Sequence, residues 1–510
     1  MIISLSVLVI TIIVSGTYAL YKAQLSKNIG VNTTTHGLAY YINYVKGTDI
    51  TAATLNPSTS YEGGASSDIE FWKKDDSYDI YGKIELTVNT IGTNLSNSPA
   101  LKYAVVNNGN VLKEGSLKGT TSGSKVTILK NLYLEQTKQI YTVYVWLDNS
   151  EELGNISNES LSISVDCTAS LQKEPTAADT IISLYTSAAK VTATNNSITY
   201  NTAPSVSLMN DRLGGTTTSL DGGNIRYYGA SPNNYIYFNC SDYSNQTSST
   251  CETWRIIGVF DGKLKLIKSE SIGAYSWDNK DTSTGAENDT GKNDWTTARL
   301  MKLLNPSNYY KVDSNDNNLG QSLYYNSASG KCYSGQNNAT VDCDFTSTGI
   351  KNAETRNMIA ETTYNLGGWN SNSVYSNQIY EYERGTTVYS GRPTTWKGKI
   401  ALAYPSDYGY AADLNQCKDK TLYDYDNRTC TSNNWMKAII TNNGSNTGWL
   451  LTPNSGDSNY AWFVSSDGYV GNYYHAYYAA GAVPVLSLSS ELGIESGGDG
   501  SSSKPYKLSA

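Results

Sequence analysis

Few side chains in this sequence are suited to act as a general base near neutral pH. Histidine occurs only at His36 and His475 in 510 residues. Catalysis by a Ser-His-Asp or Cys-His arrangement requires an imidazole held beside its nucleophile. His36 follows three threonines and His475 lies within a run of tyrosines. Both contexts are typical of loop or surface histidines, so we interpret the chain as non-catalytic.

Paired carboxylates are the other route to catalysis. Glu381 and Glu383 are two residues apart, and a carboxylate pair at the correct separation hydrolyses glycosidic bonds. Proximity in sequence does not set the distance between carboxyl groups in a fold, and solvated loop acids are far more common. A carbohydrate-active hydrolase is therefore a third, less favoured hypothesis.

Two acidic loops carry oxygen ligands of the kind that calcium prefers. Residues 313–320 read Asp-Ser-Asn-Asp-Asn-Asn-Leu-Gly, and residues 278–294 are rich in Asp, Asn, Gly and Thr. The first loop lacks the glycine of a calcium-binding loop at its sixth position, and Tyr324 replaces the bidentate glutamate. We assign no metal site or cofactor; calcium is the weak alternative to a solvated loop.

Six of the seven cysteines form three pairs of near neighbours in sequence. They are Cys240 with Cys251, Cys332 with Cys343, and Cys417 with Cys430. Local disulfides are predicted, each stabilising the fold by about 3 kcal/mol in the chain-entropy model. Thiolate metal sites usually use closer C-x-x-C spacing, which the sequence lacks. Cys167 is left over, as a buried free thiol or as an intermolecular bridge.

Tyrosine is unusually abundant, with 42 Tyr against 5 Phe. Tyrosine gives a recognition surface a flat ring and a hydroxyl at low entropic cost. The alternative is that such rings pack on a sheet as core. A cluster near the C-terminus supplies the candidate ligand-binding residues: Tyr460, Trp462, Tyr473, Tyr474, Tyr477 and Tyr478. Their ligand would be a carbohydrate or a protein.

The start of the chain is predicted to be an export element. Its first charged side chain is Lys22, and residues 17–19 read Thr-Tyr-Ala, with small residues where a signal peptidase reads them. Residues 1–27 are predicted to be a cleaved signal peptide or an uncut transmembrane anchor that binds the membrane. With the cysteine pairs, this predicts an extracellular or cell-surface protein. A net charge of −8 disfavours affinity built on phosphate contacts, so we expect no nucleic acid among its partners.

The pattern of elements predicts a mainly β fold with some α. Residues 28–170 alternate in short runs and indicate an antiparallel β-sandwich. Residues 171–224 are predicted to be a connector with one short helix after Pro175. Residues 225–495 mix strands with short helices, and Asp261-Gly262 is a hairpin signal. Residues 496–510 are the C-terminal tail.

Three late segments carry a resemblance to a known family. Residues 448–453 read Gly-Trp-Leu-Leu-Thr-Pro, residues 461–470 contain Asp-Gly-Tyr-Val, and residues 481–488 read Gly-Ala-Val-Pro-Val-Leu-Ser-Leu. Their order resembles an uncharacterised domain of exported Firmicutes proteins, which is similar to the C-type-lectin-like fold shared with formylglycine-generating enzymes. The resemblance covers about residues 225 to 490 and departs at Val483, where the family usually has arginine. It implies an α+β lectin-like domain, whereas fold likeness by itself implies no enzyme activity.

A weaker resemblance covers residues 1–170. The apolar start, the strand at 141–148 and the Ser-rich strand at 159–165 resemble exported sandwich domains of the TasA and camelysin type. TasA-like proteins build matrix fibres. The leading hypothesis is therefore a Gram-positive-type surface protein that binds a ligand without catalysis, and the alternative is a structural fibre subunit.

Overall fold

The computed structural model describes residues 23–24, 41–51, 55–149, 151, 153–156, 159–196, 198–212, 223–279, 291–310, 319–336, 338–442 and 447–509. The chain divides into two compact units, Met1–Glu174 and Pro175–Ala510. The predicted export element lies outside the described residues except for a short strand near its end. None of the described helices has the length and apolar character needed to cross a bilayer.

The described residues of the first unit form strands and one short α-helix, α1 (Thr93–Asn97). Its described strands are β1 (Ala23–Gln24), β2 (Ile42–Val45), β3 (Ile50–Thr51), β4 (Pro57–Ser58), β5 (Ala65–Lys73), β6 (Tyr81–Ile91), β7 (Leu101–Asn107), β8 (Asn110–Ser116), β9 (Lys125–Tyr133), β10 (Ile140–Asp148) and β11 (Leu161–Ser170). Within the described chain they form one sheet in the order β1-β11-β6-β9 and another in the order β2-β5-β10-β7-β8. Strand β3 adds to β11, and β4 adds to β10.

The two sheets share one apolar core, because alternate residues along their strands point into the space between them. In the first eight residues of β6 every second residue is buried, and Ile84, Leu86 and Val88 are fully enclosed. Val143 and Val145 of β10 join the same core from the other sheet. Burying each such side chain contributes about 1.5–3 kcal/mol. The antiparallel sandwich predicted for this part of the chain is thus present in its general form.

The second unit combines more strands with short helices. The helices are α2 (Ala177–Ser187), α3 (Arg299–Leu304), α4 (Ala353–Met358), α5 (Ser376–Glu383), α6 (Pro405–Tyr410), α7 (Arg428–Ser432) and α8 (Met436–Thr441). The strands are β12 (Val191–Asn195), β13 (Ile198–Ala203), β14 (Leu208–Asn210), β15 (Ile225–Tyr227), β16 (Tyr235–Phe238), β17 (Glu252–Phe260), β18 (Lys263–Lys268), β19 (Ala274–Ser276), β20 (Ser329–Tyr333), β21 (Thr340–Asp344), β22 (Thr362–Asn365), β23 (Thr395–Gly398), β24 (Ile400–Ala401), β25 (Thr447–Pro453), β26 (Tyr460–Ser465), β27 (Val470–His475), β28 (Ala479–Gly481), β29 (Val485–Ser487), β30 (Gly493–Ile494) and β31 (Leu508–Ser509).

Two larger sheets organise this unit. One follows the order β12-β13-β14-β15-β17-β18-β29-β24, with β16 added to β17. The other follows the order β19-β28-β25-β26-β27 and carries the aromatic cluster near the C-terminus. Strands β20 and β21, β22 and β23, and β30 and β31 form further antiparallel pairs. The turn between β17 and β18 is the predicted Asp261-Gly262 hairpin, with both residues at positive φ.

The second unit includes residues on both sides of 225–495. Helix α2 lies in the predicted connector and begins at a capping box, in which Thr176 Oγ1 accepts from the Asp179 backbone N–H at 3.1 Å. Strand β13 pairs with β14, and β14 pairs with β15, so these strands belong to the same sheet as β15. The predicted tail also belongs here, because β31 pairs with β30 and the Leu508 backbone N–H donates to Gln246 Oε1 at 2.8 Å.

Candidate functional site

The candidate aromatic residues lie on and beside the β26–β27 hairpin. Tyr460 pairs with His475 across the two strands, and Gly468 turns the chain between them at a φ of 103°. A residue with a side chain at position 471 would collide with the ring of Phe463, which lies 2.4 Å from its Cβ position. Glycine at this position lets the ring of Phe463 pack across the neighbouring strand.

Five partly exposed rings form one contiguous group, which we call the tyrosine patch. Its members are Tyr460, Tyr474, His475, Tyr477 and Tyr478. The ring of His475 lies 4.7 Å from Tyr460, 5.5 Å from Tyr477 and 5.3 Å from Tyr478, between centroids. Tyr478 also contacts Tyr474 at 4.8 Å and Tyr477 at 4.6 Å. The patch therefore presents a connected aromatic surface with several hydroxyl groups.

His475 contributes a neutral ring to this patch. Partial burial lowers the pKa of its imidazole below the ordinary value, and the nearby charge of Asp457 opposes this only in part. Its Nδ1 lies 3.2 Å from the amide oxygen Oδ1 of Asn459. The imidazole nitrogen Nδ1 therefore contacts an amide group. His475 thus gives the patch a ring surface and a hydrogen-bonding group. The other histidine, His36, lies outside the described residues.

Tyr474 is supported from below by buried aromatic side chains. Its ring contacts Trp449 at 5.2 Å and Phe463 at 5.0 Å, between centroids. Trp449 is buried, and its indole N–H donates to the Tyr275 carbonyl at 2.8 Å. Because these buried contacts hold the ring of Tyr474 in place, it has little rotamer freedom to lose when a ligand binds.

Tyr473 belongs to a second aromatic group. Its hydroxyl lies 3.0 Å from that of Tyr469, whose ring contacts Tyr423 at 6.0 Å. Tyr473 is 48% exposed and Tyr423 is 53% exposed. Partial burial and the hydrogen bond to Tyr469 raise the pKa of Tyr473 to about 12, so its hydroxyl stays protonated. The sequence prediction did not include Tyr469 or Tyr423, although Tyr469 stands inside the same Asp-Gly-Tyr-Val hairpin.

Trp462 does not lie on this surface. Its side chain is fully buried and belongs to a core shared with Val464, Val470 and Trp435. The strand register shifts between Ala461 and Phe463, which interrupts the regular alternation of side chains at this point. Trp462 therefore presents no face to a ligand, and its contribution is to the packing beneath β26.

The two carboxylates considered for hydrolysis do not form a pair. Glu381 is exposed, whereas Glu383 is fully buried and accepts hydrogen bonds from the Ser406 hydroxyl at 2.5 Å and backbone N–H at 2.9 Å. Burial raises the pKa of Glu383 to about 7, against the opposing effects of Arg384 and Ser406. Enclosed in this way, Glu383 presents no surface on which a glycan could lie beside it.

The acidic loops considered for calcium are only partly described. Residues 311–318 and 280–290 lie outside the described residues. At the ends of the second loop, Asp278 Oδ2 accepts from the Lys292 backbone N–H at 2.9 Å, and Asp294 Oδ1 accepts from that of Thr296 at 3.0 Å. The contact of Asp278 joins the two ends of this loop, whereas that of Asp294 is local. Across the described part of the chain, no three His, Cys, Asp or Glu side chains form a group that could hold a metal ion.

The cysteines pair as their spacing predicts. The three disulfides are Cys240–Cys251, Cys332–Cys343 and Cys417–Cys430. The third closes the segment that carries Tyr423 and so restrains one edge of the aromatic surface. Cys167 is free and fully buried in the core of the first unit, which removes the expectation of an intermolecular bridge at this position in the folded chain. Three disulfides indicate an oxidising compartment.

No protein family and no curated protein matches this sequence. Among solved structures, an HCR/D mutant has 12% identity, covering 51% of this chain and 76% of that chain, with a TM-score of 0.14. The receptor binding domain of botulinum neurotoxin mosaic serotype C/D has 10% identity, with 50% and 74% covered and a TM-score of 0.14. The PBCV-1 virus capsid has 11% identity, with 43% and 59% covered and a TM-score of 0.12. Scores this low carry no argument about fold or function.

Proposed function

We propose that this chain is an exported, non-catalytic surface protein that binds a glycan through the tyrosine patch. The observation that carries the proposal is the contiguity of its five partly exposed rings on a supported hairpin. Flat aromatic faces suit the apolar faces of sugar rings, and the tyrosine hydroxyls with the amide of Asn459 supply hydrogen bonds. The patch itself contributes phenol and imidazole rings and no carboxylate, ammonium or guanidinium group, which favours a neutral glycan over a charged protein surface.

The second unit is the module to which we assign this binding. The segments that resemble the exported Firmicutes domain fall on β25, on the β26–β27 hairpin and on β28 to β29. Strand β26 lies between β25 and β27 in one sheet, and β25 also neighbours β28. This adjacency supports a lectin-like role for the unit, with its ligand at the outer edge of the sheet.

The experiment is a glycan and surface-protein binding screen with the disulfide-bonded chain. The double variant Tyr477→Ala/Tyr478→Ala removes two rings of the patch. Tyr78→Ala is the matched control, because Tyr78 is 44% exposed in the first unit. We expect glycan binding that weakens at least tenfold in the double variant and is unchanged in the control, with both variants retaining the native circular dichroism spectrum. Glycan binding that the double variant retains would refute the site, and binding to proteins alone would refute the ligand class.

A structural role is the second candidate, and the first unit offers one observation for it. Strand β8 is the last strand in the order described for its sheet. Its residues Val111 and Leu112 are 43% and 39% exposed. An exposed apolar edge strand is a template for pairing with another chain. We expect Val111→Lys to abolish any filaments that the purified protein forms, as seen by electron microscopy. Filaments that survive this change would exclude the β8 edge as the contact.

A further inference from the structure

The tyrosine patch and the second aromatic group lie beside the same hairpin, and a buried ring joins them. The side chain of Phe463 is 3% exposed. Its ring centroid lies 5.0 Å from that of Tyr474 in the patch, and 5.4 Å and 6.0 Å from those of Tyr473 and Tyr469 in the second group. Tyr469 and Tyr474 both pack against the core cluster that contains Phe463. The patch together with Tyr423, Tyr469 and Tyr473 therefore forms one surface, which we call the aromatic strip.

A strand irregularity explains how two neighbouring residues reach the same buried ring. Adjacent residues of a regular strand point to opposite faces of the sheet. Ala461 pairs with Tyr474 across the hairpin. The next pair is Phe463 with Gly471, so β27 has one more residue than β26 between the two pairs. An extra residue of this kind is a β-bulge, which redirects side chains. The bulge therefore lets Tyr473 and Tyr474 both contact Phe463.

The end of the strip that lies away from the patch is held by a separate segment. Tyr423 lies in a short 3₁₀ helix inside the loop that the Cys417–Cys430 disulfide closes. Its backbone N–H donates to the Asn372 carbonyl at 3.2 Å, and its ring centroid lies 6.0 Å from that of Tyr469. Because the segment is restrained, Tyr423 extends the strip beyond the hairpin with little backbone freedom to lose on binding.

The strip offers phenol hydroxyls beside its ring faces. The hydroxyls of Tyr473 and Tyr474 interact with other tyrosines and with one threonine. The acids beside the strip are Asp457, which acts on His475, and Asp467, which is exposed in the hairpin turn. These carboxylates would repel an anionic polymer. An uncharged ligand that carries both apolar faces and hydroxyl groups fits this arrangement.

We infer that the ligand of this surface is a neutral polysaccharide chain that lies along the aromatic strip and contacts both groups of rings. The inference rests on the glycan binding proposed for the tyrosine patch and names the class of glycan. Successive sugar residues of one chain stack on the exposed rings between the patch and Tyr423. Once part of the chain is bound to the patch, contact with the second group is intramolecular. Affinity therefore increases with chain length until the strip is covered.

The test is isothermal titration calorimetry of the full disulfide-bonded chain with two neutral series of sugars. One series is glucose, cellobiose and cellohexaose, and the other is N-acetylglucosamine, chitobiose and chitohexaose. Hexagalacturonate is the anionic control of similar length. In at least one neutral series we expect the hexasaccharide to bind at least tenfold more tightly than the disaccharide, and more tightly than hexagalacturonate.

Two double variants separate the ends of the strip. Tyr423→Ala/Tyr473→Ala changes two exposed side chains outside the patch. It should weaken hexasaccharide binding at least fivefold and leave disaccharide binding unchanged. Tyr477→Ala/Tyr478→Ala should weaken the binding of both. Tyr78→Ala should bind every probe as the wild type does, and the circular dichroism spectrum of each variant should match that of the wild type.

A conservative variant separates ring stacking from hydrogen bonding. Tyr473→Phe keeps the ring and removes the hydroxyl that bonds to Tyr469. It should retain the dependence of affinity on chain length. Loss of that dependence in Tyr473→Phe would overturn the stacking of sugar rings on this residue.

The possible failures of the two proposals differ. Equal affinity for the disaccharide and the hexasaccharide, with both losing affinity in Tyr477→Ala/Tyr478→Ala, would overturn the extended ligand and leave the tyrosine patch as the site. Full length dependence in Tyr423→Ala/Tyr473→Ala would have the same meaning. Tighter binding of hexagalacturonate than of either neutral hexasaccharide would overturn the neutral class. If neither series bound at any length, glycan binding by the patch would fail as well.

Discussion

The guanidinium of Arg226 donates through Nη1 to Oδ1 of Asp407 at 3.0 Å, joining β15 to the first turn of α6. Both side chains are fully buried, and 181 residues separate them in sequence. Arg226 Nε also donates to Asp211 Oδ2 at 2.5 Å, and Lys265 pairs with Asp407. Burial raises the pKa of the Asp407 carboxyl, but Lys265 and Arg226 together bring it below its ordinary value. The four groups form a balanced ion cluster inside the second unit.

Removing one member of this cluster should destabilise the second unit strongly. Arg226→Met leaves Asp211 without its buried cation, and breaking a buried ion pair costs about 3–5 kcal/mol. Urea unfolding followed by tryptophan fluorescence measures the change, since Trp72 and Trp146 alone of the ten tryptophans lie in the first unit.

The matched control for this change is an exposed ion pair. Lys397 pairs with Glu361, and their side chains are 65% and 40% exposed. Because exposed pairs contribute about 0–1 kcal/mol, Lys397→Gln should change the free energy of unfolding little. Equal effects of Arg226→Met and Lys397→Gln would show that the buried cluster does not stabilise the unit.

Glu383 should make stability depend on pH near neutrality. Its pKa rises from 4.5 to about 7 on folding, so between these pH values the folded chain holds a proton that the unfolded chain releases. The stabilisation from this group is full below pH 4.5 and is lost as pH rises through 7. Glu383→Gln mimics the protonated form and should remove this dependence, by up to about 3 kcal/mol between pH 5 and pH 8.

The measurement is the difference in unfolding free energy between the wild type and Glu383→Gln across that pH range. Taking the difference cancels the titration of other groups that the two proteins share. We expect the variant to gain relative stability as pH rises. A difference that stays constant from pH 5 to pH 8 would mean that Glu383 titrates at its ordinary value in the folded chain.

The Cys417–Cys430 disulfide should contribute to stability through the loop that it closes. Its cysteines are 13 residues apart in sequence, and closing a loop of this length stabilises the folded state by about 3 kcal/mol in the chain-entropy model. The double variant Cys417→Ala/Cys430→Ala should lower the free energy of unfolding by about this amount in urea titration. Dithiothreitol should destabilise the wild type but have less effect on the variant, which has one disulfide fewer to lose.

Cys167 should react with thiol reagents only when the first unit unfolds. It is buried on β11, and burial raises the pKa of its thiol well above the ordinary value, so little reactive thiolate forms. A colorimetric thiol assay without reductant should detect no thiol in the native chain and one thiol per chain in concentrated urea. Rapid labelling of the native chain would contradict the buried position.

The sequence by itself determined the mainly β class and the hairpin at Asp261-Gly262, and it favoured local pairing of six cysteines whose connectivity it left open. These features depend on composition, on period-two alternation and on spacing between near neighbours, all of which act over short stretches of chain. It also placed most of the aromatic residues of the candidate site on one segment near the C-terminus.

Only the tertiary structure decided which of those aromatic side chains face solvent. Tyr460 and Trp462 are two residues apart on one strand, yet Tyr460 joins the exposed patch and Trp462 is enclosed. A shift in strand register between them interrupts the alternation, and distant elements cover Trp462. The Arg226–Asp407 pair likewise joins residues far apart in sequence. Whether a side chain is buried, and which distant side chain it contacts, depends on the packing of the whole unit. No local pattern of residues therefore encodes either property.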